Sequence, residues 1–213
     1  MNALNRWAAS PLRAALAAAL VATLGGCASS SPAPVLLTLP PTVAMQAAAT
    51  AASAPPALVS TRLLNLRRID VPEYLVSRRV RYRADASTLA EWPNTFWAER
   101  IEIGVSREFA SALREQLPGW RLCEASCGDE GPTQALQVEL VRMDFVRSEH
   151  QLQARARLML WSGDRLPRLL RSEERAYTLD VAADTAQAQA QALTEVLRRL
   201  AADAAPLVND TRP

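Results

Sequence analysis

Three cysteines and one histidine are the side chains in this 213-residue sequence that could most readily do nucleophilic, redox or metal chemistry. Their spacing argues against most of it. Cys123 and Cys127 are separated by Glu124-Ala125-Ser126, one residue more than the usual redox pair, and no second cysteine pair or neighbouring histidine completes a metal site. In an oxidising compartment such an even pair favours a disulfide over two free thiols, and the short intervening turn allows the required Cα separation of about 4.4 to 6.8 Å. His150 falls in a predicted hairpin turn, where a solvated polar role is expected. Glu173 and Glu174 are adjacent, so on a strand they point to opposite faces and cannot share a proton. No Gly-x-Ser-x-Gly elbow, phosphate-binding loop or His-Glu-x-x-His pattern is present. The residues predict no catalytic constellation, no metal site and no cofactor.

Cys27 sits in a different context. Arg6 and Arg13 precede an apolar run from Ala14 to Thr23, and Leu24-Gly25-Gly26 lead directly into the cysteine. A charged start, a short apolar middle and small residues make a secretory signal peptide over residues 1–26. The run is short for a membrane-spanning helix. Leu-Gly-Gly-Cys resembles a bacterial lipobox, which would make Cys27 the lipid attachment residue and the first residue of the mature chain.

The chain carries 24 basic and 22 acidic residues. Two of the arginines lie in the signal peptide and no acidic residue does, so the mature chain is balanced. Nucleic-acid binding usually needs a basic surplus, which is missing. Residues 27–60 are rich in Ala, Pro, Ser and Thr and read as a tether, too poor in apolar residues to fold alone. Within it Val35-Leu36-Leu37-Thr38-Leu39 is strand-like and could add to a sheet. If it docks, the free lead after Cys27 is about seven residues, with a root-mean-square reach of roughly 15 Å.

Residues 61–208 read as a single domain. Strands are predicted over 61–71 and 78–83, followed by an extended stretch from Leu89 to Trp97 whose Pro93 excludes it from a central strand. Ile101, Val105, Phe109, Leu113 and Leu117 then recur every four residues, the stripe of an amphipathic helix ended by Pro118-Gly119. A short strand is expected over 120–123. Leu136, Val138 and Leu140 alternate with polar residues, as do Leu152 to Leu160, which predicts an antiparallel hairpin. The parity switch across Val141-Arg142 is the trace of a β-bulge. A third strand over 169–179 carries Arg171, Glu173 and Arg175, as an edge strand would. Arg155 and Arg157 share its neighbour's polar face, where they could meet Glu139 or Glu173, as an ion-pair ladder or as a docking face. A second amphipathic helix spans 184–204, with Asp184 as its cap. Segregated helices and strands predict an α+β class, a two-layer domain with a mainly antiparallel sheet and two amphipathic helices.

Asp70-Val71-Pro72-Glu73-Tyr74-Leu75, then Arg78, Val80, Tyr82-Arg83 and Leu89, then Trp97-Ala98-Glu99 leading into Arg107, Ala110 and Leu113, resemble the PqiC family of ABC-type transport auxiliary lipoproteins. The family usually has an aromatic Tyr-Thr-Leu near its mature start, where this chain has Leu37-Thr38-Leu39. The resemblance implies an outer-membrane-anchored periplasmic lipoprotein with no enzymatic activity. Its implied partners are the outer membrane, through the anchor, and an MCE-domain tunnel protein (PqiB-like) that moves lipid between membranes; it allows a homo-oligomer. A lipoprotein subunit of another envelope assembly machine is the alternative. Tyr74, Tyr82 and Trp97 cluster around a proline-bounded turn, and Arg78 and Arg83 beside them are expected either to pair with acidic groups or to face the partner, because an unpaired buried charge is costly.

Overall fold

The computed structural model describes residues 32–42, 62–124, 127–129 and 131–211. The signal segment, Cys27 and tether residues 43–60 lie outside them. In chain order the elements are β1 (Val35–Leu37), β2 (Leu63–Leu66), a 3-10 turn (Glu73–Leu75), β3 (Arg79–Arg83), β4 (Leu89–Trp97), α1 (Ile101–Gln116), β5 (Arg121–Cys123), β6 (Gln134–Val146), a second 3-10 turn (Arg147–Glu149), β7 (Gln151–Ser162), β8 (Leu169–Asp180) and α2 (Ala186–Asp210).

Alternation builds the long strands. Leu136, Val138, Leu140, Met143 and Phe145 of β6 are nearly inaccessible, as are Leu152, Ala154, Ala156, Leu158 and Leu160 of β7. They form one apolar face. The register of β6 and β7 slips between Leu140 and Arg142, so Val141 is the extra residue at the expected bulge, and apolar side chains return to the core side beyond it. Among the described residues β8 pairs only with β7, as an edge strand does.

The sheet is α+β in class but mixed in direction, which corrects the expectation of a mainly antiparallel one. β3–β4, β6–β7 and β7–β8 are antiparallel, whereas β1–β4, β2–β5, β2–β6 and β3–β6 run parallel. The reason is that the 13-residue β6 is long enough to take two neighbours along one edge. Its start pairs with β2, its end meets β3 at Arg83 opposite Val146, and an isolated bridge from Asp70 to Glu139 fills the gap. The sheet therefore forks. One arm continues to β5 and the other through β4 to β1.

β4 also differs from expectation: it lies between β1 and β3 and is no edge. Its pairing with β3 jumps from Arg79 opposite Phe96 to Arg81 opposite Glu91, so residues 92–95 bulge out of the β3 ladder. Pro93 sits in that bulge, where no ladder hydrogen bond is asked of it, and Asn94 takes the positive φ of 49° that the detour needs.

Both helices cover the apolar face. Val105, Phe109 and Leu113 of α1 and Val196, Leu197, Leu200 and Ala204 of α2 are fully enclosed. Thr185, one residue past the expected cap, accepts the Ala188 N–H and starts α2. The helix runs on through an exposed Pro206 to Asp210, beyond the predicted end. Thr211 closes it by donating its hydroxyl to the Leu207 carbonyl.

The segment after β1 threads between these helices. Leu39 is 4% exposed and Thr42 1%. The Thr42 N–H donates to the Glu108 carboxylate at 3.1 Å, and Thr194 Oγ1 donates to the Pro40 carbonyl at 3.0 Å. This segment is part of the compact unit that begins at Pro34.

Candidate functional site

Residues 71–97 put their side chains to two uses, one inside the fold and one outside. The 3-10 turn at Glu73–Leu75 crosses the polar face of β6 and covers Asp144, which is 3% exposed although parity places it away from the helices. Three donors satisfy the carboxylate. Tyr74 donates its hydroxyl at 2.9 Å, and Arg83 and Arg142 each donate Nε at 2.8 Å. Arg81 closes the turn by donating to the Tyr74 carbonyl at 3.0 Å. Burial first, and then the Asp144 carboxylate, push the Tyr74 phenol up to about 12. The hydrogen bond to Asp144 holds the Arg83 guanidinium still more firmly protonated.

A second cluster joins the β3–β4 corner to the far turns. Arg147 lies over the rings of Tyr82 and Trp92, 4.8 and 4.7 Å from their centroids, and donates to the Tyr82 hydroxyl at 2.8 Å. Its other nitrogens grip Asp184, holding that carboxyl below its usual range. This is why Asp184 does not cap α2. Trp92 Nε1 donates to Gln189 of α2 at 2.7 Å, and Gln189 in turn donates to the Arg81 carbonyl. Tyr82 and Trp92 pack as a tilted pair, their ring centroids 4.9 Å apart. Trp97 is core.

The two arginines singled out from sequence thus part company. Arg83 belongs to the interior. Arg78 is exposed, and its guanidinium has no acidic partner among the described residues. It borders an open trough of about 570 Å³ together with Pro34, Leu36, Arg79, Arg81 and Phe96. Arg79 covers the Phe96 ring at 5.1 Å, and Glu91 is held by Arg79 and Arg81.

Cys123 and Cys127 are joined by a disulfide, their Cα atoms 5.3 Å apart, at the end of β5. Asn65 donates to Cys127 Sγ. His150 is exposed in a left-handed turn at φ 51°. Arg157 forms the ladder with Glu139 and Glu174, at 3.0 and 3.1 Å, while Glu173 turns to Arg171 and Arg175. Of the two expected acidic partners Arg157 therefore meets Glu139 and not Glu173; register puts Glu174 opposite Arg157 and Glu173 opposite Leu158. Among the described residues no group of His, Cys, Asp and Glu is arranged to hold a metal ion. Cys27 lies outside them.

Asp144 was not anticipated. Its signal is a carboxylate between the core residues Met143 and Phe145, next to a bulge, but the groups that bury it come from some seventy residues upstream.

In fold the chain is similar to a solved uncharacterized protein, with a TM-score of 0.66 at 18% identity, covering 83% of this chain and 99% of that one. It is likewise similar to a Xanthomonas campestris protein of the DUF330 family, with a TM-score of 0.58 at 15% identity, covering 83% and 92%. No curated protein sequence matches. The family profile described as the ABC-type transport auxiliary lipoprotein component matches residues 37–205, from the last residue of β1 to the body of α2, and the chain therefore belongs to that PqiC-like lipoprotein family.

Proposed function

We propose that this protein is an outer-membrane-anchored periplasmic lipoprotein, acylated at Cys27, that serves as a non-catalytic auxiliary subunit of an MCE-type intermembrane lipid transport system. The observation that carries the reading is the family match over residues 37–205, downstream of the Leu24-Gly25-Gly26-Cys27 lipobox. Ala28 supports the outer membrane, since the usual inner-membrane retention signal is Asp at that position. The charged side chains around this segment are spent on the domain's own architecture: Asp144 pairs with Arg83, and Arg147 with Asp184. Nothing in that arrangement positions a nucleophile beside a base, which fits a binding subunit.

The test is co-purification of the lipidated chain, in mild detergent, with the MCE-domain protein encoded beside it. Retention of that protein is the expected result. If no MCE gene neighbours this one, or the pair fails to associate while the lipoprotein is folded and acylated, the assignment fails and another envelope machine becomes the place to look.

A further inference from the structure

We infer that the trough bordered by Leu36, Phe96 and Arg78 is the face by which this domain lies on an anionic phospholipid surface. The inference rests on acylation of Cys27. Pro34 is seven residue steps beyond Cys27, a chain that fully extended spans at most about 25 Å. Pro34 itself borders the trough, and β1 begins with the next residue. A lipid in the membrane at Cys27 therefore keeps the β1 edge of the sheet within a short reach of the headgroups.

The composition of that corner suits the same occupant. Leu36, which lines the trough, is 58% exposed. On the outer side of the sheet Leu36 is opposite Phe96, and Phe96 is opposite Arg79. Apolar side chains are thereby rimmed by three arginines against one glutamate, and among the described residues the Arg78 guanidinium has no acidic partner. A surface that offers leucine to the acyl boundary and guanidinium to phosphate matches an interfacial contact. It holds the lipoprotein in a fixed attitude, with α1 and α2 on the far side of the sheet.

The experiment uses the full lipidated chain in vesicles of phosphatidylcholine with and without phosphatidylglycerol, with brominated acyl chains as the quencher. Tryptophan is introduced as Leu36→Trp at the trough or as Ile103→Trp on α1, where residue 103 is exposed in the other layer. Emission of Leu36→Trp beyond that of the parent is expected to be quenched in the phosphatidylglycerol vesicles while that of Ile103→Trp is not. Arg78→Glu in the same chain should lower the quenching roughly twofold, and high salt should do the same. Equal quenching at both positions, or none at Leu36→Trp in a protein whose mass shows the acyl groups, overturns the surface assignment alone. Missing acyl groups overturn the anchor as well. Unchanged quenching with lost binding to the MCE protein would give Arg78 to a protein contact and end the proposal.

Discussion

Asp144 is where the residue scale is most constrained. A carboxylate with 2% of its side chain accessible persists there because two guanidiniums and a phenol donate to it, and the loss of one donor leaves it short of compensation. Arg83→Ala is expected to cost about 2 kcal/mol, which in a domain of this size lowers Tm by about 4 to 8 °C. Arg78→Ala, at an exposed position, should stay within about 0.5 kcal/mol. Calorimetry of the two variants separates them; similar losses would mean that Arg78 is also structural. Tyr74 adds a pH dependence. Its folded pKa of about 12 lies above the ordinary 10, so the folded state holds the proton more tightly and stability is lost as pH rises between those values. Tyr177, raised by burial and by its hydrogen bond to Asp203, acts in the same direction. Tyr74→Phe should therefore flatten the decline in urea midpoint between pH 9.5 and 11.5 without abolishing it.

At the scale of elements, the β7–β8 turn and the docked β1 segment make the sharpest claims. A Cβ on Gly163 would stand 1.8 Å from the Pro132 carbonyl oxygen, whereas one on Gly119 would meet nothing within 4 Å. Gly163→Ala is expected to cost about 1 to 3 kcal/mol and Gly119→Ala close to nothing, as read by urea unfolding. Leu39→Ala, beneath the helices, should cost about 2 to 4 kcal/mol; a neutral result would mean that residues 35–42 do not dock. The Cys123–Cys127 bridge closes a short loop and should contribute about 1 to 2 kcal/mol. Alkylation of both thiols without reductant would refute it. Much of this layer was legible. Period-two alternation exposed β6 and β7 with their bulge at Val141, and a four-residue recurrence exposed the α1 stripe, because each half-buried face repeats over many residues. The mixed sheet was not, because β1, β2 and β5 have three or four residues each and their partners are chosen by the length of β6. The end of α2 was missed because Pro206 reads as a terminator, yet it lies on the exposed side of the last turns. The Arg78 and Arg83 pair was located, but its division into one outward and one inward arginine depends on the turn that brings Tyr74 over Asp144.

For the whole molecule, family and architecture describe a sheet covered on one face by two helices, with its first strand at one end of the sheet. Among the described residues no helix is long and apolar enough to cross a membrane, and the attachment proposed above is through acyl chains on Cys27. Each buried CH₂ of an acyl chain contributes about 0.8 kcal/mol, and several chains give stable anchoring where one is marginal. The central claim is that Cys27 carries this anchor and holds the domain on the outer membrane. Intact-mass analysis of the protein recovered from density-separated membranes tests it most directly. The account predicts a chain beginning at Cys27, heavier than its sequence by the diacylglycerol and amide-linked acyl groups, in the outer-membrane fraction. An unmodified chain with another mature N-terminus, recovered from the soluble periplasm, would contradict it.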